Sequence, residues 1–249
     1  MTHQQILDKL AARHLVKSIE EDLSRITFKA MCSCKDIAEQ KNYILPLLLL
    51  RWNCILEEDS KEEVADIYKQ KTILALAVLL HKFGFKEEWI TDKALSAIDA
   101  LNKGVVLSDD FYRKSEEIKK VLVSDPVALK RKPSVPDGTT FYREKDVVSI
   151  QIEKKYYAAY VHRLMVPNES PVIEFYDKVF DKIPVWEEVQ TVKAKGELFN
   201  DGIERISLFS VSGMKFLPDL ANQVKLIEAN IKEIPKNDHL VKRMGLYIV

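Results

Sequence analysis

Hydrophobic positions along this chain change their period once. Through the first half they recur every three to four residues, the spacing that gathers apolar side chains on one face of a helix. Thr2 and Gln5 have the form of a capping box ahead of Ile6, Leu7 and Leu10, which predicts a helix start. Ser60 with Glu63 repeats the device before Val64, Ile67, Tyr68, Lys71, Leu74 and Val78. Further helices are expected over Phe28 to Lys41 and from Pro46 onward, divided by a break before the proline, which suits a first helical turn. The runs ILPLLLL (Ile44 to Leu50) and TILALAVLL (Thr72 to Leu80) are too short to span a bilayer and read as buried core helices. Ala94, Leu95, Ile98 and Leu101 form a stripe closed by Gly104, and Ser108 caps a helix whose first turn holds Asp109 and Asp110.

After KRKPSVPDG (Lys130 to Gly138), a run poor for either helix or strand, the period becomes two. VVSIQI places Val148, Ile150 and Ile152 on one face, and YYAAYV continues in aromatic and β-branched residues. VIEFYDKVF (Val172 to Phe180), ERISLFSV (Glu204 to Val211) and the terminal GLYIV predict further strands, whereas DLANQVKLIEANI (Asp219 to Ile231) predicts one amphipathic helix. The expected class is α+β: a helical bundle domain over 1–130, a linker over 131–138, and a β-rich domain over 139–249. The second domain is expected to be a small, strongly bent sheet or barrel with a C-terminal helix.

Composition narrows the function. Lys plus Arg and Asp plus Glu are both 38, so no overall field draws the protein to nucleic acid or anionic lipid. MTHQQILDKLAARH lacks the features of a secretory signal, and the expected location is cytoplasmic, away from membranes. Cys32, Cys34 and Cys54 form neither an even set nor a zinc pattern and are expected to be structural thiols, without metal. The seven glycines are scattered and build no phosphate loop, so no cofactor is expected.

Pro136-Asp137 followed by Glu153 and Lys155 matches the loose pattern of metal-dependent nucleases, in which two carboxylates hold Mg²⁺ and a lysine stabilises the attacking water. That chemistry needs the Glu and Lys on a rigid strand facing one cleft, yet here they fall where the chain reverses between Ile152 and Tyr156. Lys130 to Lys132 with the nearby tyrosines could serve a nucleic-acid-binding regulator. Acidic clusters such as Glu57 to Asp59 and Glu187 with Glu188 offset them, so nucleic acid is not the expected partner.

DVVSIQI (Asp146 to Ile152), YYAAYVHRLM (Tyr156 to Met165) and VIEFYDK (Val172 to Lys178), followed by IPVWEEV, resemble the immunity protein 26 family of bacterial toxin-neutralising proteins. The resemblance covers roughly 140–212. It implies an SH3-like barrel and a non-enzymatic role: binding and neutralising a co-encoded toxin domain. The family's pattern has a glycine before the first strand's Asp and another in the hairpin loop, where this chain has Lys145 and only lysines. An interface of this kind is centred on aromatics with charged partners. Tyr156, Tyr160, Tyr176, Trp186 and Glu187 have that chemistry, and His162 is a further candidate. Strand alternation puts Tyr157, Ala159 and Val161 on one face and Tyr156, Ala158 and Tyr160 on the other, without saying which is buried.

Overall fold

The Thr2 hydroxyl accepts from the Gln5 amide (3.3 Å) and the Gln5 side chain accepts from the Thr2 amide (2.9 Å), so α1 (His3–Lys9) begins with a reciprocal capping box. The computed structural model in which this is seen describes residues 1–103, 107–135, 138–165, 170–237 and 242–248, with backbone alone for 242 and 244–248. The chain divides into two units, Met1–Pro136 and Asp137–Val249.

In the first unit α2 (Arg13–Ser33) is followed by α3 (Ile37–Leu56). The break lies at residues 34–36, not before Pro46, because the Asp36 carboxylate accepts from the amides of Ala38 and Glu39, both at 2.9 Å. Pro46 sits inside α3. An internal proline removes one backbone hydrogen bond and crowds the preceding turn, at a cost of about 3 kcal/mol. Burial of Ile44, Leu48, Trp52 and Ile55, on a helix that packs against α2 and α4 (Asp66–Lys82), offsets that cost.

Ser60 caps a single turn, with its Oγ accepting from the Glu63 amide at 3.4 Å, and α4 begins only at Asp66. From Thr72 to His81 every residue of α4 is buried, which makes it the central helix of the unit. His81 donates from Nε2 to the Ser124 carbonyl (3.0 Å), so its Nδ1 is left to accept from His3 Nε2 (2.8 Å). α5 (Glu88–Lys103) and α6 (Asp109–Val123) complete the unit, with the Ser108 hydroxyl accepting from the Phe111 amide at 3.0 Å. Gly104 lies outside the described residues. No described helix is long and apolar enough to cross a membrane.

The second unit holds β1 (Val147–Ile152), β2 (Lys155–Met165), β3 (Ser170–Phe180), α7 (Trp186–Val189), β4 (Gly196–Leu198), β5 (Glu204–Ser210), β6 (Val224–Glu228) and β7 (Lys242–Ile248). Antiparallel pairings give the order β4-β5-β3-β2-β1-β6, and β7 adds to β5 in parallel. Among the described residues no pairing joins β6 to β7 or β4, so the sheet is open rather than a closed barrel. Both faces are covered. Val148, Ile150, Val161 and Ile173 lie in one core, and Val147, Tyr160, Tyr176 and Phe180 in the other.

The helix expected over Asp219 to Ile231 is not formed. Asp219 Oδ2 accepts from the amides of Gln223 (3.0 Å) and Val224 (3.1 Å), closing a turn, and residues 224–228 then pair with β1 as β6. Val224 and Ile227, three apart, read as a helical stripe, but they serve equally an edge strand that touches a core on each face. Val224 enters one core and Ile227 packs on the other.

β1 and β2 are joined by the two-residue turn Glu153-Lys154, whose φ values of 49° and 63° are those of a type I′ turn. Lys145 is also left-handed, at φ 73°, held there because its amide donates to the Val161 carbonyl and its carbonyl accepts from the Ile231 amide, each at 2.8 Å. Side chains with a Cβ are disfavoured in this region and glycine is not. Lys145→Gly and Lys154→Gly should therefore each raise stability by about 1 kcal/mol, read as a higher urea midpoint. A lower midpoint for either would show that the lysine side chain contributes more than the backbone strain costs.

Candidate functional site

The second unit gathers most of the side chains that the sequence singles out, but not as one cluster. Glu153 lies in the hairpin turn, and Lys155, at the first position of β2, pairs with Asp181 at 2.5 Å. The hydrogen bond and charge of Asp181 hold the Lys155 ammonium above its ordinary range, and Lys155 in turn holds Asp181 below the usual carboxylate range. Both groups are exposed, and their pairing is the kind that solvent screens. Asp137 lies outside the described residues. Glu153 and Lys155 do not share a strand, since one is in the turn and the other begins the return. Among the described residues no group of three or more His, Cys, Asp or Glu could hold a metal ion.

The candidate aromatics separate into two sets. Tyr160 and Tyr176 are only 3% and 2% exposed, so they are core residues and present no surface to a partner. The reason is the second layer over that face: Tyr160 donates its hydroxyl to the Ile231 carbonyl at 3.1 Å, and Val189 of α7 joins the same core. Burial, followed by the charges of Glu144 and Glu174, raises the Tyr160 phenol above its ordinary range. Burial, then Tyr160 and Glu174, raises Tyr176 as well. Tyr156 and Trp186, in contrast, are half-buried at the margin of this core, and Glu187 is exposed. Tyr156 stands opposite Phe180 in the β2–β3 ladder. Val179 and Val185 are exposed, and Lys178 Nζ lies 4.8 Å from the Phe180 ring centre. At the end of the unit where the β1–β2 turn lies, then, Tyr156, Phe180 and Trp186 share one face, while Lys155 and Val179 alternate with them along β2 and β3.

A polar cluster that the sequence does not announce lies farther along the same face. Glu174 of β3 is 0% exposed, and its carboxylate takes three donors. His162 Nε2 lies 2.7 Å from Oε2, Arg243 Nε donates to Oε2 at 2.6 Å, and Arg243 Nη2 donates to Oε1 at 3.2 Å. Arg243 Nη2 also donates to the Pro235 carbonyl at 2.9 Å, and the His162 ring meets Tyr160 edge-on, with centroids 5.0 Å apart. Burial opposes ionisation of Glu174, but the hydrogen bonds from His162 and Arg243 and their charges outweigh it. The carboxyl is held below the usual range.

A carboxylate so occupied is poorly placed to move protons or hold a metal. It ties β2, β3, β7 and the 235 segment together. Of its members only His162 was a candidate from sequence. Glu174 could have been noticed as an acid within an apolar strand at the same parity as Val172 and Tyr176, whereas nothing local marks Arg243 as its partner.

An open cleft of about 370 Å³ runs along the β4–β5 hairpin between Glu197 and Arg205. Its opposed charges, Arg205 and Asp201, pair with each other at 2.5 Å, and the Asp201 carboxyl is lowered to about 2 by that bond and by the Ile203 amide. Comparison of the chain with protein-family models, curated proteins and solved structures gave no match.

Proposed function

We propose that this chain is a non-enzymatic immunity protein of the bacterial cytoplasm, which binds a toxin domain and neutralises it by occlusion. The reading includes an all-helical N-terminal domain and an SH3-like scaffold for the second unit. The observation that carries it concerns glycines the chain lacks. At the two places where the resembling family has glycine, before the first strand's Asp and in the hairpin loop, this chain has Lys145 at φ 73° and Glu153-Lys154 at φ 49° and 63°. The backbone there has the left-handed form that glycine accommodates. Register shifts in the β1–β6, β2–β3 and β5–β7 pairings support the strongly bent scaffold, because bulges bend and twist strands.

Contact is assigned to the hairpin end of the second unit, through Tyr156, Trp186, Val185 and Glu187, with half-buried aromatics as anchors and charges as rim. The test is co-expression with the toxin domain encoded beside its gene, scoring growth and complex formation by size exclusion. Rescue and a stoichiometric complex are expected. Val185→Asp and Glu187→Lys should weaken the complex by at least about tenfold. Neither rescue nor complex, or a metal-dependent cleavage activity that disappears with Glu153→Ala, would replace this reading with the nuclease one.

A further inference from the structure

The helical unit carries an apolar surface that its own packing does not use. α3 buries the stripe Ile44, Leu48, Trp52 and Ile55, but a second stripe, one position out of phase, faces outward. Tyr43, Leu47 and Leu50 are 37%, 42% and 38% exposed, and Pro46 is exposed between them. Single exposed apolar residues are ordinary, whereas a run at i, i+4 and i+7 along one helix is a continuous patch. An inserted proline and the four leucines that follow it, Leu47 to Leu50, are thus used on both sides of α3, one side inward and the other unassigned.

Charge selects among possible occupants. The two cations of α3 are engaged within the unit, Lys41 with Glu87 and Arg51 with Asp22, each at 2.7 Å. Among the exposed charges bordering the stripe carboxylates outnumber cations: Asp36 and Glu39 against Lys35 before Tyr43, and Glu57 and Asp59 beyond Leu50. A second copy of α3 laid antiparallel would set Glu39 against Glu57, and a parallel one would set Glu39 against Glu39. Both arrangements repel. An anionic lipid surface is disfavoured for the same reason.

We infer that the outward face of α3 is a docking site for an amphipathic helix of a protein partner, apolar at i, i+3 or i+4, and i+7, with Lys or Arg at both ends. The acids set the reach: Glu39 and Glu57 are separated by about 27 Å along the helix at 1.5 Å per residue. The complementary helix therefore spans about five turns, with its apolar stripe at the centre. This site lies in the first unit and stands independently of the toxin reading, which rests on the second.

Two synthetic peptides test the site on the full chain. Both carry the same central leucine stripe, one ending in lysines and the other in glutamates, and binding is followed by fluorescence anisotropy. The lysine-ended peptide should bind at least about tenfold tighter than the glutamate-ended one at low salt. Leu47→Asp, an exposed change whose folding is checked by circular dichroism, should remove binding of both. The double variant Glu39→Lys with Glu57→Lys should invert the preference. Equal affinities, no binding of either peptide, or indifference to Leu47→Asp would overturn the proposal. So would a full-chain dimer that Leu47→Asp dissociates, which would make a second copy the occupant.

Discussion

Arg243→Met is expected to lower the stability of the second unit by about 3–5 kcal/mol at neutral pH, the usual cost of removing one partner from a buried ion pair. Glu174 is fully buried, and in the variant it keeps only His162 of its side-chain donors. An uncompensated carboxylate in that position can relieve itself only by taking up a proton. The pH dependence follows with a definite sign.

In the parent protein the Glu174 carboxyl is held below its unfolded range, so its contribution is fully present above the unfolded pKa of about 4.3 and is lost as pH falls through the folded value. Without Arg243, burial acts against ionisation with less opposition, and the folded variant gains protons that the unfolded chain does not. The stability difference between parent and variant should therefore shrink as the pH is lowered from 7 toward 5. Urea unfolding at a series of pH values measures it. The double variant Glu174→Met with Arg243→Met should recover part of the loss, since an apolar pair can replace a buried ionic one at little cost. A penalty below about 1 kcal/mol for Arg243→Met alone, independent of pH, would mean that the clamp contributes little.

Trp52→Ala should cost the helical unit about 3–5 kcal/mol. Trp52 is completely buried in α3, and its indole Nε1 donates to Asp22 Oδ2 at 3.1 Å, the same oxygen that accepts from Arg51 Nε at 2.7 Å. Truncation removes the largest fully buried side chain described in the chain and also withdraws a donor from a buried carboxylate. Trp52→Phe separates the two effects. It preserves most of the volume and should lose about 1.5–3 kcal/mol, the range for a hydrogen bond to a charged group. Far-UV circular dichroism in urea follows the unit, since α1 to α6 all belong to it. If Trp52→Phe proved as damaging as Trp52→Ala, the packing account would be wrong and the hydrogen bond would dominate.

Much of the secondary structure was legible because its determinants lie close together in sequence. Thr2 with Gln5 and Ser108 before Phe111 are caps whose partners are three residues away, and both form. Alternation across Val147 to Ile152 and the reversal before Tyr156 depend on neighbours and on one short turn. Where local signals competed, they misled. Pro46 argues for a helix start, and the spacing of Val224 and Ile227 argues for a helix. Burial of α3 overrides the first, and the edge of β1 together with the Asp219 turn overrides the second.

The candidate site was less legible than the fold. Tyr156, Trp186 and Glu187 were identified by residue type, and they do lie at the margin of a core or at the surface. Tyr160 and Tyr176 have the same chemistry but are covered, and residue type carries no information about which face of a strand receives a second layer.

By itself, the sequence determined where helices give way to strands, the caps of α1 and α6, the β1–β2 reversal and the absence of any net charge, because these depend on composition or on interactions within a few residues. Tertiary structure alone decided that Glu174 meets Arg243 across 69 positions of chain, that residues 224–228 become an edge strand, and that α3 shows one apolar stripe outward. Those outcomes turn on which surfaces are already covered when a segment arrives, and burial energies of that kind exceed the local propensities that a sequence displays.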